Sequence, residues 1–403
     1  MTSETLGDLT AEERVLLRLA RQDLRDEDAR LLRAQKGIDW EKVASLALRG
    51  GIAGLVESNL RRLGLGGVQR SLAMASLHTE AENRLLLRET VAVCAQASAL
   101  GTVLLPLKGI ALIAAGLYSN PGFRSMCDVD LLCRPDQFEQ VLAMLRDTGF
   151  EETSYIAAQR DYSHHVSLVK SAGKRRMMFE LHWQPTYGFF DFQSVVAGWY
   201  GRSGRVSTVD GELPSLSPTD LLLSVGLHLA THRFRDGLKW LVDIAEISRR
   251  WQAKIDWEQL WDDARRLGAV RALAFAFKMA VRLLDAPISE LPPPGLRERL
   301  GPPPVSGHGD GSQRSPARQP DRRDDQSDLP RRQPGRHPLA HAQGRGDRRA
   351  APHQPALPAL GQTAALREER EALSGSVETT PCCDRRSCCQ FRHLGCRVAS
   401  LLL

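Results

Sequence analysis

The sequence predicts an α+β protein: a small mixed β-sheet flanked by N-terminal and C-terminal helical regions, with a disordered low-complexity tail. Three observations lead there. Residues 9–104 and 217–284 carry apolar side chains at three- and four-residue spacing, the period of helices that bury one face. Between them, short apolar or alternating runs are separated by Pro and Gly turns, as in strands alternating with helices. Beyond Leu291 the composition changes: residues 301–403 contain no Lys, Ile, Met, Trp or Tyr, yet hold 16 Arg, 12 of the 22 Pro and 5 of the 8 Cys.

In chain order, residues 1–100 form a helical region, with Asp39 placed to cap the run that starts at Trp40 and Gly64–Gly67 ending the next helix. Residues 101–210 hold the sheet. Strand-like Thr102–Leu107 leads into a helix over 110–118 and a turn at Ser119-Asn120-Pro121-Gly122. A strand over 127–133, a helix over 136–147 started by Pro135, and strands over 150–156, 164–170 and 176–183 follow, the last two joined at Ala172-Gly173. A loop rich in Phe, Tyr and Gly leads to a short strand at 206–209. Residues 211–291 supply three or four helices, the first opened by Ser217-Pro218-Thr219-Asp220, a cap followed by a first-turn Pro. The tail, 292–403, cannot bury enough apolar surface to offset ordering entropy. Its Arg-, Pro- and Ala-rich composition without Lys or Ile also matches a GC-rich gene read out of frame, so a frameshift product is the expectation for it.

Charge divides in the same way. The tail has 16 Arg against 11 acidic residues, whereas the first 300 residues have 38 basic and 37 acidic ones. The pI of about 9.0 therefore belongs to the tail, and nucleic acid is not expected as a partner. The acidic N-terminus lacks a secretory pattern, and the apolar stretch 104–117 is interrupted by Lys108 and too short for a membrane span. A cytoplasmic location is expected, with Cys94, Cys127 and Cys133 as reduced, mostly buried thiols.

The chemistry concentrates in Cys127-Asp128-Val129-Asp130-Leu131. In a strand, Asp128 and Asp130 share one face while Val129 and Leu131 take the other. Two neighbouring carboxylates repel and call for a cation, and divalent metals gripping a nucleoside triphosphate would satisfy them. Glu180, in Met178-Phe179-Glu180-Leu181-His182, is the expected third carboxylate, able to hold a metal and to deprotonate an attacking hydroxyl, with His182 on the same face as a phosphate or substrate contact. Lys108 and Gly109 end the first strand. A glycine there lets backbone N–H groups approach phosphate, and Lys108 adds a point charge. Arg124 is a further candidate for the triphosphate. His228 and His232, one helical turn apart, read as packed histidines with no third ligand at a fitting spacing. The tail's Cys382, Cys383, Cys388, Cys389, His393 and Cys396 suit a zinc site by count, but adjacent cysteines fit tetrahedral geometry poorly.

The run from Leu105 to Glu151, followed by Phe179-Glu180-Leu181-His182-Trp183-Gln184 and by residues 228–247, resembles the uncharacterised bacterial nucleotidyltransferase family of the DNA polymerase beta-like superfamily. The resemblance spans roughly residues 35–285. It implies a nucleotidyltransferase core over residues 101–210, with the turn glycine at Gly109, the Asp-x-Asp at Asp128 and Asp130, and the third acid at Glu180. It also implies two Mg2+ ions bridging these carboxylates and an NTP, with ATP expected, and nucleotidyl transfer to an acceptor hydroxyl of a small molecule or protein. Two features depart from the superfamily pattern: Gly109-Ile110 stands in place of Gly-Ser or Gly-Gly, and the interval from Gly109 to Asp128 is long. Two other functions stay open. One is a catalytically degenerate, regulatory or antitoxin-like module of the same fold. The other is a glycosyltransferase using Asp-x-Asp on a sugar nucleotide, against which the Lys108-Gly109 turn and the large helical regions argue.

Overall fold

The computed structural model describes residues 9–65, 70–153, 163–173, 175–186, 192–232 and 238–289, all in one compact unit. The tail and its cysteine cluster lie outside the described residues, as do 154–156 of the strand expected over 150–156.

The first five helices are α1 (Ala11–Leu19), α2 (Asp26–Ala34), α3 (Trp40–Arg49), α4 (Ala53–Leu63) and α5 (Arg70–Ala99). Their starts follow from side chains that accept otherwise orphaned N–H groups: Thr10 and Glu13 form a reciprocal cap on α1, and Asp39 accepts from the Lys42 amide at α3. Gly64 ends α4 in the left-handed region, at φ 68°. Helix α5, 30 residues and so about 45 Å long, runs past the turn that leads into the sheet. Asn83 donates to the carbonyls of Pro121 at 2.7 Å and Arg124 at 2.8 Å, fixing that turn. Helix α4 comes so close that a Cβ on Gly54 would lie 2.1 Å from the Gly122 oxygen, so only glycine fits.

The sheet comprises β1 (Leu105–Pro106), β2 (Asp128–Leu132), β3 (Phe150–Glu152), β4 (His165–Ala172) and β5 (Arg175–His182), in the order β1-β2-β5-β4-β3. Strands β2 and β5 are parallel and the other pairs antiparallel. β1 is shorter than the expected 102–107. It sits at the edge, where Pro106 costs no ladder bond. Helices α6 (Lys108–Ala114) and α7 (Phe138–Asp147) connect the strands.

Residues 192–215 depart from the expectation of a loop and one short strand. Helix α8 (Gln193–Arg202) buries Val195, Trp199 and Tyr200, and β6 (Gly204–Thr208) and β7 (Gly211–Ser215) form a separate hairpin. Two glycines in α8 and Pro214 in β7 blur both periodicities. The Tyr200 hydroxyl donates to the Leu132 carbonyl at 3.1 Å, which anchors α8 on β2.

Helices α9 (Pro218–Thr231), α10 (Leu238–Arg250), α11 (Trp257–Arg266) and α12 (Val270–Leu284) complete the fold. Ser217 and Asp256 cap α9 and α11. Buried Asp28 gathers Arg18 at 2.8 Å and Arg25 at 2.6 Å, and Arg25 also meets Asp285 at 2.8 Å, tying the first helices to the end of the last. Among the described residues, no helix is long and apolar enough to cross a membrane. Cys94 and Cys133 are buried, but Cys127 is exposed, contrary to expectation, because it precedes the strand at the rim of the sheet.

Candidate active site on the polar face of the sheet

Alternation in β5 sends Met177, Phe179 and Leu181 into the core and leaves Glu180 and His182 on the opposite face. In β2, Val129 and Leu131 are buried in the same core, which puts Asp128 and Asp130 on the face shared with Glu180. The parallel register places Asp130 directly beside Glu180 and Leu132 beside His182. Ligand atoms of Asp130, Glu180 and His182 all lie within 4.8 Å of one another. Asp128 is two residues away on the same face, partly exposed and outside this trio.

His182 is fully buried and links the two carboxylates. Its Nε2 lies 2.9 Å from Asp130 Oδ1 and 3.2 Å from Glu180 Oε2, and its Nδ1 faces the Gln184 carbonyl at 3.1 Å. Antiparallel β4 adds His165, register partner of His182, with Nε2 3.4 Å from Glu180 Oε1. His164, one residue earlier, has its Nε2 3.3 Å from His165 Nδ1.

Lys108 points inward. It has a left-handed backbone, φ 53°, and its Nζ lies 2.5 Å from Asp130 Oδ1. The sequence suggests a lysine reaching for phosphate; in the folded chain its ammonium rests on the Asp130 carboxylate. Gly109 follows in α6, where an added Cβ would lie 2.4 Å from Arg124 Nη1 and 3.0 Å from Met126 Sδ. Arg124 is therefore packed under the turn. It is 3% exposed, and its Nη2 donates to Asp243 of α10 at 3.0 Å, while the Tyr118 hydroxyl donates to the other oxygen of Asp243. In this arrangement Arg124 is bound to a buried carboxylate.

The electrostatics follow from burial and charge. Burial acts to raise the Asp130 carboxyl, but Lys108 and His182 outweigh it and hold it well below the usual carboxylate range. Burial opposes a charged His182, yet its bonds to Asp130 and Glu180 raise it above the ordinary histidine value. Among the described residues no hydrogen bond or ion pair of that kind is seen at Asp128, although the charges of Lys108 and Lys239 act to lower it. Burial first, then the charges of Asp130 and Glu180, push it up to about 6. Burial drives His164 down to about 2, with His182 and His165 adding to the effect.

The model of a family described as uncharacterised nucleotidyltransferase matches residues 36–285, more than half of the chain. The chain belongs to that family. A solved structure titled as an antigenic nucleotidyltransferase-like protein from Paracoccidioides brasiliensis is similar at 16% identity and a TM-score of 0.29, over 50% of this chain and 92% of that one. No curated protein matches.

Nucleotidyltransferase family membership implies a nucleoside triphosphate and a divalent metal. The donor set fits such a metal: two carboxylates and an imidazole lie within ligand reach of one another, with a third carboxylate on the same strand face. Lys108 and His182 offset part of the negative charge. Local sequence gave no reason to include Asp243 or Lys239, and it read His228 as a packed histidine. Lys239 acts on the charge of Asp128, and His228 lies in the field of Lys108 and Asp130. The His228 ring lies tilted against His232, 4.4 Å between centroids, and meets Trp240 edge-on at 4.5 Å. The His164-His165 doublet was visible in the sequence, but only the antiparallel pairing of β4 with β5 brings it to the carboxylates.

Proposed function

We propose that the protein transfers a nucleotidyl group from a nucleoside triphosphate, ATP first among them, to an acceptor hydroxyl of a small molecule or protein, using Mg2+; the acceptor oxygen bonds to the α-phosphorus, the bond to the β-phosphate breaks and pyrophosphate leaves. The observation that supports this reading above others is the register that sets Asp130 beside Glu180 on the face that also carries Asp128. Mg2+ bound by these carboxylates would offset the charge of the triphosphate during attack at the α-phosphate. Asp128 and Asp130 hold the metal. Glu180, half-buried beside them, holds metal and takes the proton of the acceptor hydroxyl. His182 fixes the side chains of Asp130 and Glu180 relative to each other. Gly109 lets the backbone approach the phosphates, and Lys108 supplies positive charge to them by exchanging Asp130 for phosphate oxygen. Arg124 acts from beneath as a positioning residue, bracing Gly109 against Asp243.

The test is transfer of label from α-labelled NTPs to acceptor pools and to the protein itself, with and without Mg2+. Asp128→Asn and Glu180→Gln are expected to abolish transfer while circular dichroism stays unchanged. Metal-dependent transfer that survives in both variants would reject the assignment.

One observation favours a second reading. The Lys108 ammonium sits on Asp130, where a dication would bind, as it would in a degenerate module that recognises partners without catalysis. Calorimetry separates the two: metal-dependent binding of ATP supports the enzyme, and its absence supports the regulatory module.

A further inference from the structure

The mechanism above leaves two titratable side chains at the site without a role, His164 and His165. Together with His182 they bring one ring nitrogen each to within 4.8 Å of the others. The His164 and His165 rings meet edge to face at 4.6 Å, and both lie against His182, at 5.1 Å and 4.9 Å between centroids. His164 Nε2 and His165 Nδ1 lie 3.3 Å apart and share a hydrogen bond, a spacing that a bound metal would also span. Two nitrogens bound tetrahedrally at the usual zinc–imidazole bond length lie about 3.3 to 3.4 Å apart. Imidazole nitrogen suits zinc and related transition metals, whereas Mg2+ prefers oxygen in octahedral geometry. His165 Nε2, turned away from His164, rests 3.4 Å from Glu180 Oε1, so the imidazole set adjoins the carboxylate set and shares His182 with it.

We propose that His164, His165 and His182 form a transition-metal site, of the zinc class, next to the carboxylates. The metal fixes the start of β4 against the end of β5 and so holds Glu180 and His182 in place. This goes beyond the nucleotidyl-transfer reading and does not require it.

The experiment uses the full chain, stripped with chelator and titrated with Co2+ as a spectroscopic stand-in and with Zn2+ by calorimetry. The tail cysteines can also bind these metals. Thiolate-bound cobalt shows near-ultraviolet charge-transfer absorption and visible bands of its own, so the nitrogen-ligand bands are read as the visible difference between wild type and variant, while the charge-transfer absorption should persist in every variant. The wild type is expected to show the nitrogen-ligand bands. The double variant His164→Ala/His165→Ala should lose them and weaken the corresponding Zn2+ step at least about tenfold. Asp128→Asn, which abolishes transfer in the proposed function, should keep the bands, so failure of one proposal is distinguishable from failure of the other. If the double variant does not fold by circular dichroism, His165→Gln alone serves, with the same expected loss. Nitrogen-ligand bands and Zn2+ affinity unchanged in the folded variant, or thiolate absorption alone in the wild type, would overturn the proposal.

Discussion

Asp128→Asn reports on the site through stability as well as activity. The Asp128 carboxyl is partly exposed at the start of β2, where burial and then the charges of Asp130 and Glu180 raise its pKa from 3.8 to about 6. The folded protein therefore binds this proton more tightly than the unfolded chain does. The sign follows: ionised Asp128 costs stability, not at all below about pH 4, increasingly between about 4 and 6, and fully above that. A shift of about two units corresponds to about 3 kcal/mol, and screening by solvent at a partly exposed carboxyl reduces this to about 1–3 kcal/mol. Asparagine keeps the shape and removes the charge. In chelator at pH 8 the variant should melt about 3–9 °C above the wild type, and the gain should fall to about half at pH 5. Scanning calorimetry of the full chain measures both. Saturating dication should shrink or reverse the difference, because only the wild type retains the full ligand set. A variant no more stable than the wild type at pH 8, or a gain independent of pH, would refute the account of Asp128 as a carboxylate held in an unfavourable field.

Asp243→Ala leaves the Arg124 guanidinium and the Tyr118 hydroxyl buried without their acceptor, and should cost about 3–5 kcal/mol, a melting loss on the order of 10 °C. Replacing the pair together, Arg124→Met with Asp243→Leu, should restore most of that stability. Gly109→Ala puts a methyl against an arginine that Asp243 pins in place, so thermal unfolding should report a loss of about 1–3 kcal/mol, with nucleotide affinity reduced in parallel. Lys108→Met removes the cation competing for Asp130. Calorimetry should then show Mg2+ bound about tenfold more tightly and ATP more weakly, and an unchanged Mg2+ affinity would mean that Lys108 does not occupy the metal position.

What the sequence disclosed of this site follows the range of the physics involved. Strand alternation is local, so the shared face of Asp128 and Asp130, and that of Glu180 and His182, could be read from a few residues each. The pairing of Asp130 with Glu180 joins positions 50 residues apart, and no local pattern determines it. Arg124 shows the same limit from the other side. Its position four residues before Asp128 suggested a common ligand, whereas its partner, Asp243, lies 119 residues along the chain. The inward turn of Lys108 depends on a left-handed backbone, which a lysine adopts only when the surroundings impose it. Helix α8 and β7 were missed, and β6 (Gly204–Thr208) was anticipated only in part as a strand at 206–209, for a different reason: glycine and proline inside these elements interrupt the periods that identify them.

These long-range pairs also distribute the labour of the site. The sheet sets the carboxylates by register, and its own residues suffice for that. The turn proposed to hold phosphate does not stand alone, since Gly109 rests on Arg124, Arg124 on Asp243, and Asp243 belongs to α10. Lys239, four residues before Asp243 on the same helix, acts on the charge of Asp128, and His228 of α9 lies in the field of Lys108. The helical region after the sheet is thus coupled to both ends of the carboxylate row. A substitution on α9 or α10 that shifts either helix would alter phosphate binding and Asp128 together, whereas one on the apolar face of β5 would disturb the register of Glu180 first.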